Sequence, residues 1–464
     1  MWCHVEPILL GFRPCFSRSA TYFWFVIIVF GLIVRCDHQG TASLIRWLFL
    51  DPQWYDPILR FFRAKSWNLE TVLARWAHMV TTRYPLVKFN GRPLIIGDSI
   101  KVAKEAYKMP GLKFLHQDSN NSGKSEYIFG HHFGFAGLLV GSPGKSFCVP
   151  LEGRLHEGIG AVRSQDGVDG INPTLVTRMA YLFVQKAMEL GQCCYATADA
   201  FYAVGPMFLV LKAANKKYGE PLVHLITRAK DNTVAYLDWE NVKRKYREKD
   251  KVKLWHIFDS PQLFETDELV ARGEVKTIRY YCIDMLWKPI KDTLRFVLVL
   301  DGEDRFILMS SDLDLAATEI ITIYLYRAKI ETMFLFLKHL LGAFCYRFWT
   351  KALPKQRRKQ GLETVIDSEK QRKLNQTLGA IERHVNLAAI ALGLLQYLAI
   401  SRADQIWKSY EGWLRTYSCD IPSEAVVQSV VRAEFFSTFG KVPVHRTLRL
   451  IHKRSRKPKL DLAA

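Results

Sequence analysis

Two rhythms of apolar and polar positions run along this chain. One has the helical period of about 3.6 residues; the other is the period of two, or the short unbroken apolar run, of strands. The helical rhythm fills the tryptophan-rich residues 1–90. There, Thr41 to Leu50 is a short amphipathic unit broken at Asp51-Pro52, and two more run from Trp54 to Arg63 and from Leu69 to Val80. From residue 91 the texture changes. Pro93 to Ile96 predicts a buried strand that delivers an acid at its end, in Gly97-Asp98-Ser99. Lys101 to Lys108 reads as a lysine-rich helical piece stopped by Met109-Pro110-Gly111. Tyr127 to Val140 and Ser146 to Leu151 predict strands, and Pro173 to Leu190 a helix. Cys194 to Ala198 is a strand that again ends in an acid, Asp199. Phe201 to Lys217 is helical and Leu222 to Arg228 strand-like.

Residues 229–310 have their own character. A basic run, Lys243 to Lys253, precedes alternating strands at Val275 to Trp287, Leu294 to Leu300 and Phe306 to Met309, with Trp239, Trp255 and Trp287 in the block. It reads as a β-rich insertion. Beyond it, residues 321 to 340 form one helical pattern free of Gly and Pro. At about 100° per residue, Tyr324, Arg327, Glu331 and Lys338 fall within about 60° of one another. The rest of that helix is largely apolar. One carboxylate is thus held among two cations and a phenol on a helix that must otherwise be buried. The plain alternative is a salt bridge, because Arg327 and Glu331 are four apart and pair readily.

Charge sharpens this picture. The chain has 464 residues, enough for several domains, and 65 Lys and Arg against 45 Asp and Glu, a net charge of +20. Such an excess points to a polyanionic partner, either nucleic acid or an anionic membrane surface. Part of it lies in the tail: residues 351–373 read as a loop and a helix start, and residues 441–459 carry no acid and no apolar period that would anchor them. The nine cysteines follow no metal-binding spacing and imply reduced thiols in a cytosolic protein, with Cys193 and Cys194 as core residues. The apolar stretches 22–34 and 385–400 fall short of the roughly 20 residues needed to cross a bilayer, so both are expected as buried helices.

The spacing Tyr-x2-Arg-x3-Glu-x6-Lys at Tyr324, Arg327, Glu331 and Lys338 resembles the signature of the fourth insertion-sequence family of bacterial DDE transposases. The element order from residue 91 supplies a second likeness. Strand with acid, two strands, helix, strand with acid, helix and strand is the succession of the ribonuclease-H-like fold, an α/β layer with a mixed sheet. The resemblance implies a helical N-terminal domain over 1–90 that helps bind transposon ends. It implies a ribonuclease-H-like core over 91–228, a β-rich insertion over 229–310, a return to the core over 311–350 with the glutamate helix, and a basic helical region over 351–464. The N-terminal units also fit a helix-turn-helix reader, or only a small bundle.

By this resemblance Asp98, Asp199 and Glu331 are the catalytic metal ligands, with Asp98 bridging. Tyr324, Arg327 and Lys338 handle DNA phosphates. Two Mg²⁺ ions about 4 Å apart, or Mn²⁺ in their place, suit such an oxygen-only set. The implied reaction is metal-dependent nicking at transposon ends and attack of the freed 3′-hydroxyl on target DNA. The implied partner is double-stranded DNA, bridged by a homodimer in the cytoplasm at the nucleoid, with no membrane. The chain departs from the family's wording: Ser99 follows Asp98 where Gly or Thr is frequent, and Ala-Phe-Tyr follows Asp199 in place of Arg-Gly-Tyr. Asp301, Asp304, Asp312 and Asp314 rival Asp199 but lie beyond the insertion. His131 and His132 are expected as structural polar residues. A non-catalytic DNA-binding protein of the same ancestry is the alternative reading, and a membrane-surface protein a third.

Overall fold

The computed structural model describes the chain except residues 118–125, 143, 157–173, 238–249, 272–273, 356–366, 416–419, 440–444 and 457–464. Trp239, most of the Lys243 to Lys253 run and parts of both basic tail segments therefore lie outside the described residues. The rest is a mixed α/β protein: N-terminal helices, a large mixed sheet and C-terminal helices.

The N-terminal helices are α1 (Trp2–Leu10), α2 (Ser19–Val34), α3 (Ala42–Trp47), α4 (Tyr55–Arg63) and α5 (Leu69–Arg83). Local chemistry sets their limits. The Asp51 carboxylate accepts the Gln53 N–H and so caps the turn that separates α3 from α4. Asn68 does the same for α5 through the Glu70 N–H. α2 is apolar on every side, and a helix of that kind must be enclosed; Phe25 to Val34 are all buried.

The strands follow as β1 (Lys88–Phe89), β2 (Arg92–Ala103), β3 (Lys113–His116), β4 (Tyr127–Gly141) and β5 (Ser146–Leu155). Helix α6 (Leu175–Leu190), strand β6 (Cys194–Ala198), helix α7 (Gly205–Tyr218) and strand β7 (Val223–Arg228) complete this part. Then come β8 (Val234–Tyr236), β9 (Lys251–Lys253), β10 (Glu265–Ala271), β11 (Glu274–Trp287), β12 (Asp292–Asp301) and β13 (Asp304–Ser310). All thirteen strands join one sheet, ordered β3-β4-β2-β6-β7-β13-β12-β11-β8-β9, with β5 on β4, β1 on β2 and β10 on β11. Pairs β2–β6 and β6–β7 are parallel and the others antiparallel. The strands after residue 229 thus extend the same sheet through β13, which pairs with β7.

After the sheet come α8 (Ala317–Tyr326), α9 (Lys329–Leu335), α10 (Ser368–Ser401), α11 (Ala403–Ser409), α12 (Glu424–Thr438) and α13 (Arg446–His452). α10 packs against β5, α2, α4 and α12, so chain start and chain end share one helical layer. The α10 helix is long and apolar enough to cross a membrane by length and composition, and 83% of that apolar window is buried in the fold. It is 34 residues long, longer than the 385–400 stretch, because a polar first half capped by Asp367 precedes the apolar one.

Several expectations need correction. Asp98 lies inside β2 and not at its end, because the strand runs on to Ala103 along β4. Consequently Lys101 to Lys108 is not helical: Lys101 to Ala103 pair with Gly130 to His132 and no helix follows. The helix over 321–340 is interrupted at Arg327 and Ala328, where N–H groups bond three residues back (Ile330 to Arg327, 3.1 Å; Glu331 to Ala328, 3.2 Å). It closes in a π-helical turn, Phe336–Leu340. The described part of residues 441–459 is anchored: α13 buries Ile451, and the Arg454 guanidinium lies 5.3 Å and 5.5 Å from the Trp24 and Trp54 ring centroids. A cation on aromatic faces is an anchor that apolar periodicity does not register.

Candidate active site

Register brings the two aspartates together. β2 and β6 run parallel, with Leu94 opposite Tyr195, Ile95 opposite Ala196 and Ile96 opposite Thr197. Two residues beyond the last pair stand Asp98, still within β2, and Asp199, just past the end of β6. The register carried on places them at about the same level, on segments about 4.8 Å apart. Gly97 lets helix α6 close over the opposite face: a Cβ there would lie 2.3 Å from Phe183 Cζ. Asp199 is fixed from behind by Thr227 of β7, whose hydroxyl donates to the carbonyls of Ala198 (3.0 Å) and Asp199 (2.9 Å). Its own carboxylate accepts the Phe201 N–H at 3.1 Å.

Helix α9 packs on β2 and carries Glu331 to the same place. One guanidinium spans the gap: Arg327 Nη1 lies 3.4 Å from Asp98 Oδ2, and Nη2 donates to Glu331 Oε1 at 2.9 Å. The 3.4 Å contact is long for a charge-assisted hydrogen bond, and its electrostatic pull on Asp98 is correspondingly modest. Asp98 Oδ1 also accepts the Ser99 N–H at 2.7 Å.

The electrostatics record the crowding. Burial pushes the Asp98 pKa up to about 7, the Asp199 charge adds to that, and the Ser99 N–H and Arg327 only partly oppose it. Burial works against the Arg327 charge, but Tyr324, Asp98, Glu331 and Asp199 around it hold its pKa above the usual value. Tyr324 is raised by burial and lies within the fields of Arg327, Arg228 and Asp199. Lys338 is exposed on the π-helical turn and lines a neighbouring cavity with Lys104 and Lys108. Five of the six expected residues thus gather, and the sixth stands beside them.

Among the described residues no three His, Cys, Asp or Glu side chains stand at the spacing that would hold a metal ion. Arg327 fills the wedge between Asp98 and Glu331. The donor chemistry is nevertheless that of a hard divalent cation: Asp98 feels the charges of both Asp199 and Glu331, and it is short of positive charge. The Glu331 side chain is 60% exposed and free to turn away from Arg327.

Other acids are placed elsewhere. Asp312 accepts from Arg92 and from the Tyr195 hydroxyl, both at 2.8 Å. Arg92 is six residues from Asp98 along β2, about 20 Å away, so Asp312 belongs to the other end of the sheet. Asp301 pairs with Lys276 at 2.5 Å. His131 is buried with both ring nitrogens engaged, one by the Tyr346 hydroxyl (2.6 Å) and one by the Pro110 carbonyl (2.8 Å), and burial drives its pKa down to about 3. Three residues escape sequence reasoning. Thr227 and Gly97 act by position, which the sequence does not mark. Tyr202 is a buried phenol beside Ser99, Asp98 and Asp199; burial raises its pKa and the two acids add to it. Its signal was the tyrosine of Ala-Phe-Tyr after Asp199.

No family model matches this chain, and no curated protein matches it.

Proposed function

We propose that this protein is a DDE-type DNA transposase with a ribonuclease-H-like core, and that Asp98, Asp199 and Glu331 are its catalytic acids. The observation that carries the reading is the similar level of Asp98, within β2, and Asp199, just past the end of its parallel neighbour β6, faced by Glu331 through one arginine. Carboxylates that crowd without enough counter-charge mark a functional site more often than a structural one.

The reaction is hydrolytic nicking at transposon ends followed by transfer of the new 3′-hydroxyl to target DNA. The three acids would hold two Mg²⁺ ions, or Mn²⁺, which when bound polarise the phosphate and lower the pKa of the attacking oxygen. The chain's own groups do the rest. Asp98 is aimed by the Ser99 N–H at one carboxylate oxygen and by Arg327 at the other, which would hold it in place as a ligand. Arg327, once Glu331 turns away, meets the non-bridging phosphate oxygens with its planar fork. Tyr324 donates a hydrogen bond to a phosphate, and Lys338 supplies a point charge further along the backbone. Double-stranded DNA is the partner, bridged by two copies of the chain at the bacterial nucleoid.

The test uses the purified chain and the inverted repeats flanking its coding DNA, with Mg²⁺. Glu331→Ala should lower cutting on the order of a thousandfold or more, with DNA affinity nearly unchanged. Undiminished cutting by that variant defeats the assignment. The alternative, a non-catalytic DNA-binding protein of the same ancestry, draws on the Arg327 bridge, which would make Asp98 and Glu331 ordinary ion-pair partners. It predicts no Mg²⁺-dependent cutting by the unaltered chain.

A further inference from the structure

Two cavities meet at Trp349. The larger, about 840 Å³, is lined by Lys104, Lys108, Lys338, Arg347 and Lys355, with Glu105 the one acid among its described lining residues. The smaller, about 470 Å³, is lined by Arg63, Arg347, Lys351 and Lys373, with no acid among its described lining residues. Arg347 and Trp349 line both.

The segment between these cavities is built to present that pair. Residues 345–350 form no regular element, yet burial alternates along them: Tyr346, Phe348 and Thr350 point in, and Arg347 and Trp349 point out. Alternation is the mark of an extended chain. The inward side is pinned. The Tyr346 hydroxyl meets His131 Nδ1, the Phe348 ring packs 5.3 Å from Phe62, and the Thr350 N–H donates to the Lys108 carbonyl at 3.0 Å. Arg63 donates to the Trp349 carbonyl at 3.3 Å. The backbone is thus held from both sides while the indole stays 52% exposed. Outward neighbours on an extended chain stand about 7 Å apart, so a guanidinium and an aromatic face are offered side by side. That is the pairing that holds a phosphate and stacks its base.

Two elements lead here from the acids. Val102 and Ala103 of β2, the strand of Asp98, line the larger cavity. Lys338 follows Glu331 by seven residues on one helical run, about 10 Å along its axis. Basic cavities alone would serve a duplex equally well. The indole decides, because base faces are stacked away inside a duplex and free only in an unpaired strand.

We propose that the two cavities form one track for an unpaired DNA strand leaving the Asp98–Asp199–Glu331 site, with a base stacked on Trp349 and phosphates held by Lys338, Arg347 and Lys351. The identification of the strand as DNA rests on the transposase reading; the track itself does not. Lys104 forms the floor: its ammonium donates to the Phe344 carbonyl and lies 3.7 Å from the centre of the Tyr346 ring.

The experiment is fluorescence anisotropy of the full chain without divalent metal, using labelled oligo(dT) and a duplex of equal length. Trp349→Ala should bind oligo(dT) about 10-fold more weakly and the duplex within about 2-fold, and Trp349→Phe should recover most of the loss. Arg347→Ser with Lys351→Ser should reduce the salt slope for oligo(dT) by about 1.4, the value for two phosphate contacts on a single strand. Unchanged oligo(dT) affinity in Trp349→Ala, or equal losses on both probes, overturns the track. The two readings fail separately. If Trp349→Ala binds normally while Glu331→Ala abolishes cutting, the track is wrong and the enzyme stands. If Glu331→Ala cuts normally while Trp349→Ala loses oligo(dT), the track stands without the enzyme.

Discussion

Two regions of this protein bury carboxylates, and they treat the charge in opposite ways. Glu152 of β5 is fully buried between Lys186 of α6 and Arg154. Lys186 also holds Glu189 at 2.6 Å, Arg154 reaches Glu70 of α5 at 3.0 Å, and the buried Glu382 of α10 accepts the Leu155 N–H at 3.1 Å. Burial alone would raise the Glu152 pKa, but the two cations outweigh it and hold the group below the usual carboxylate range. Asp98 has a single cation, shared with Glu331 and set 3.4 Å away, and a second aspartate beside it. The ingredients are the same; what differs is the number of cations on the buried carboxylate, two on Glu152 and one, shared, on Asp98. The doubly paired carboxylate sits in a network that ties three helices to a strand. Partial compensation leaves a group that binds or releases a proton, or takes up a cation, near neutral pH.

The sharpest way to break this contrast is to unbalance the balanced region. Lys186→Met leaves Glu152 buried with one partner fewer and should cost about 3–5 kcal/mol, read as a fall in the urea midpoint. A cost below about 1 kcal/mol would show that the network compensates nothing. The second test turns on pH. The folded Asp98 pKa, about 7, exceeds the ordinary aspartate value of 3.8, so the folded state holds the extra proton between them. Stability from this group is complete below the lower value and is lost as pH rises through the upper one. The metal-free chain should therefore lose about 2–4 kcal/mol more than Asp98→Asn between pH 4 and pH 8, the shift bounding the effect near 4 kcal/mol. Parallel pH profiles for the two proteins would remove the special status of Asp98. The smallest effect belongs to Thr227→Val, which deletes the hydroxyl behind Asp199. It should cost about 1 kcal/mol of stability and lower cutting without altering duplex affinity; an affinity loss equal to the activity loss would count against a positioning role.

Much of this was legible in the chain itself, for physical reasons. Cys194 to Ala198 is readable because a fully buried strand is a short run without charges and its end is marked by an acid. Asp98 and Asp199 were legible as strand acids, but their common level depends on register, a property of the pairing that neither segment carries alone. Lys101 to Lys108 misled because lysines on the exposed end of a strand resemble a polar helix face when the partner strand is unknown. The clustering of Tyr324, Arg327 and Glu331 survives the break at Arg327 because the backbone stays helical through it. Lys338 drifts from them, since the π-helical turn winds at a different angle from the one used to place it. The buried network of Glu152, Lys186 and Arg154 left no trace in the sequence, because its members come from separate elements.

The way β13 is hydrogen-bonded to β7 has a practical side. Leu308, Met309 and Ser310 stand opposite Arg228, Thr227 and Ile226, on the very strand that braces Asp199. Trimming the chain between residues 229 and 310 would strip this seam and leave a raw margin of donors and acceptors beside the acids, open to any other strand that can dock there. A shortened version should therefore retain Asp304–Ser310 as a hem, or it will tend to aggregate.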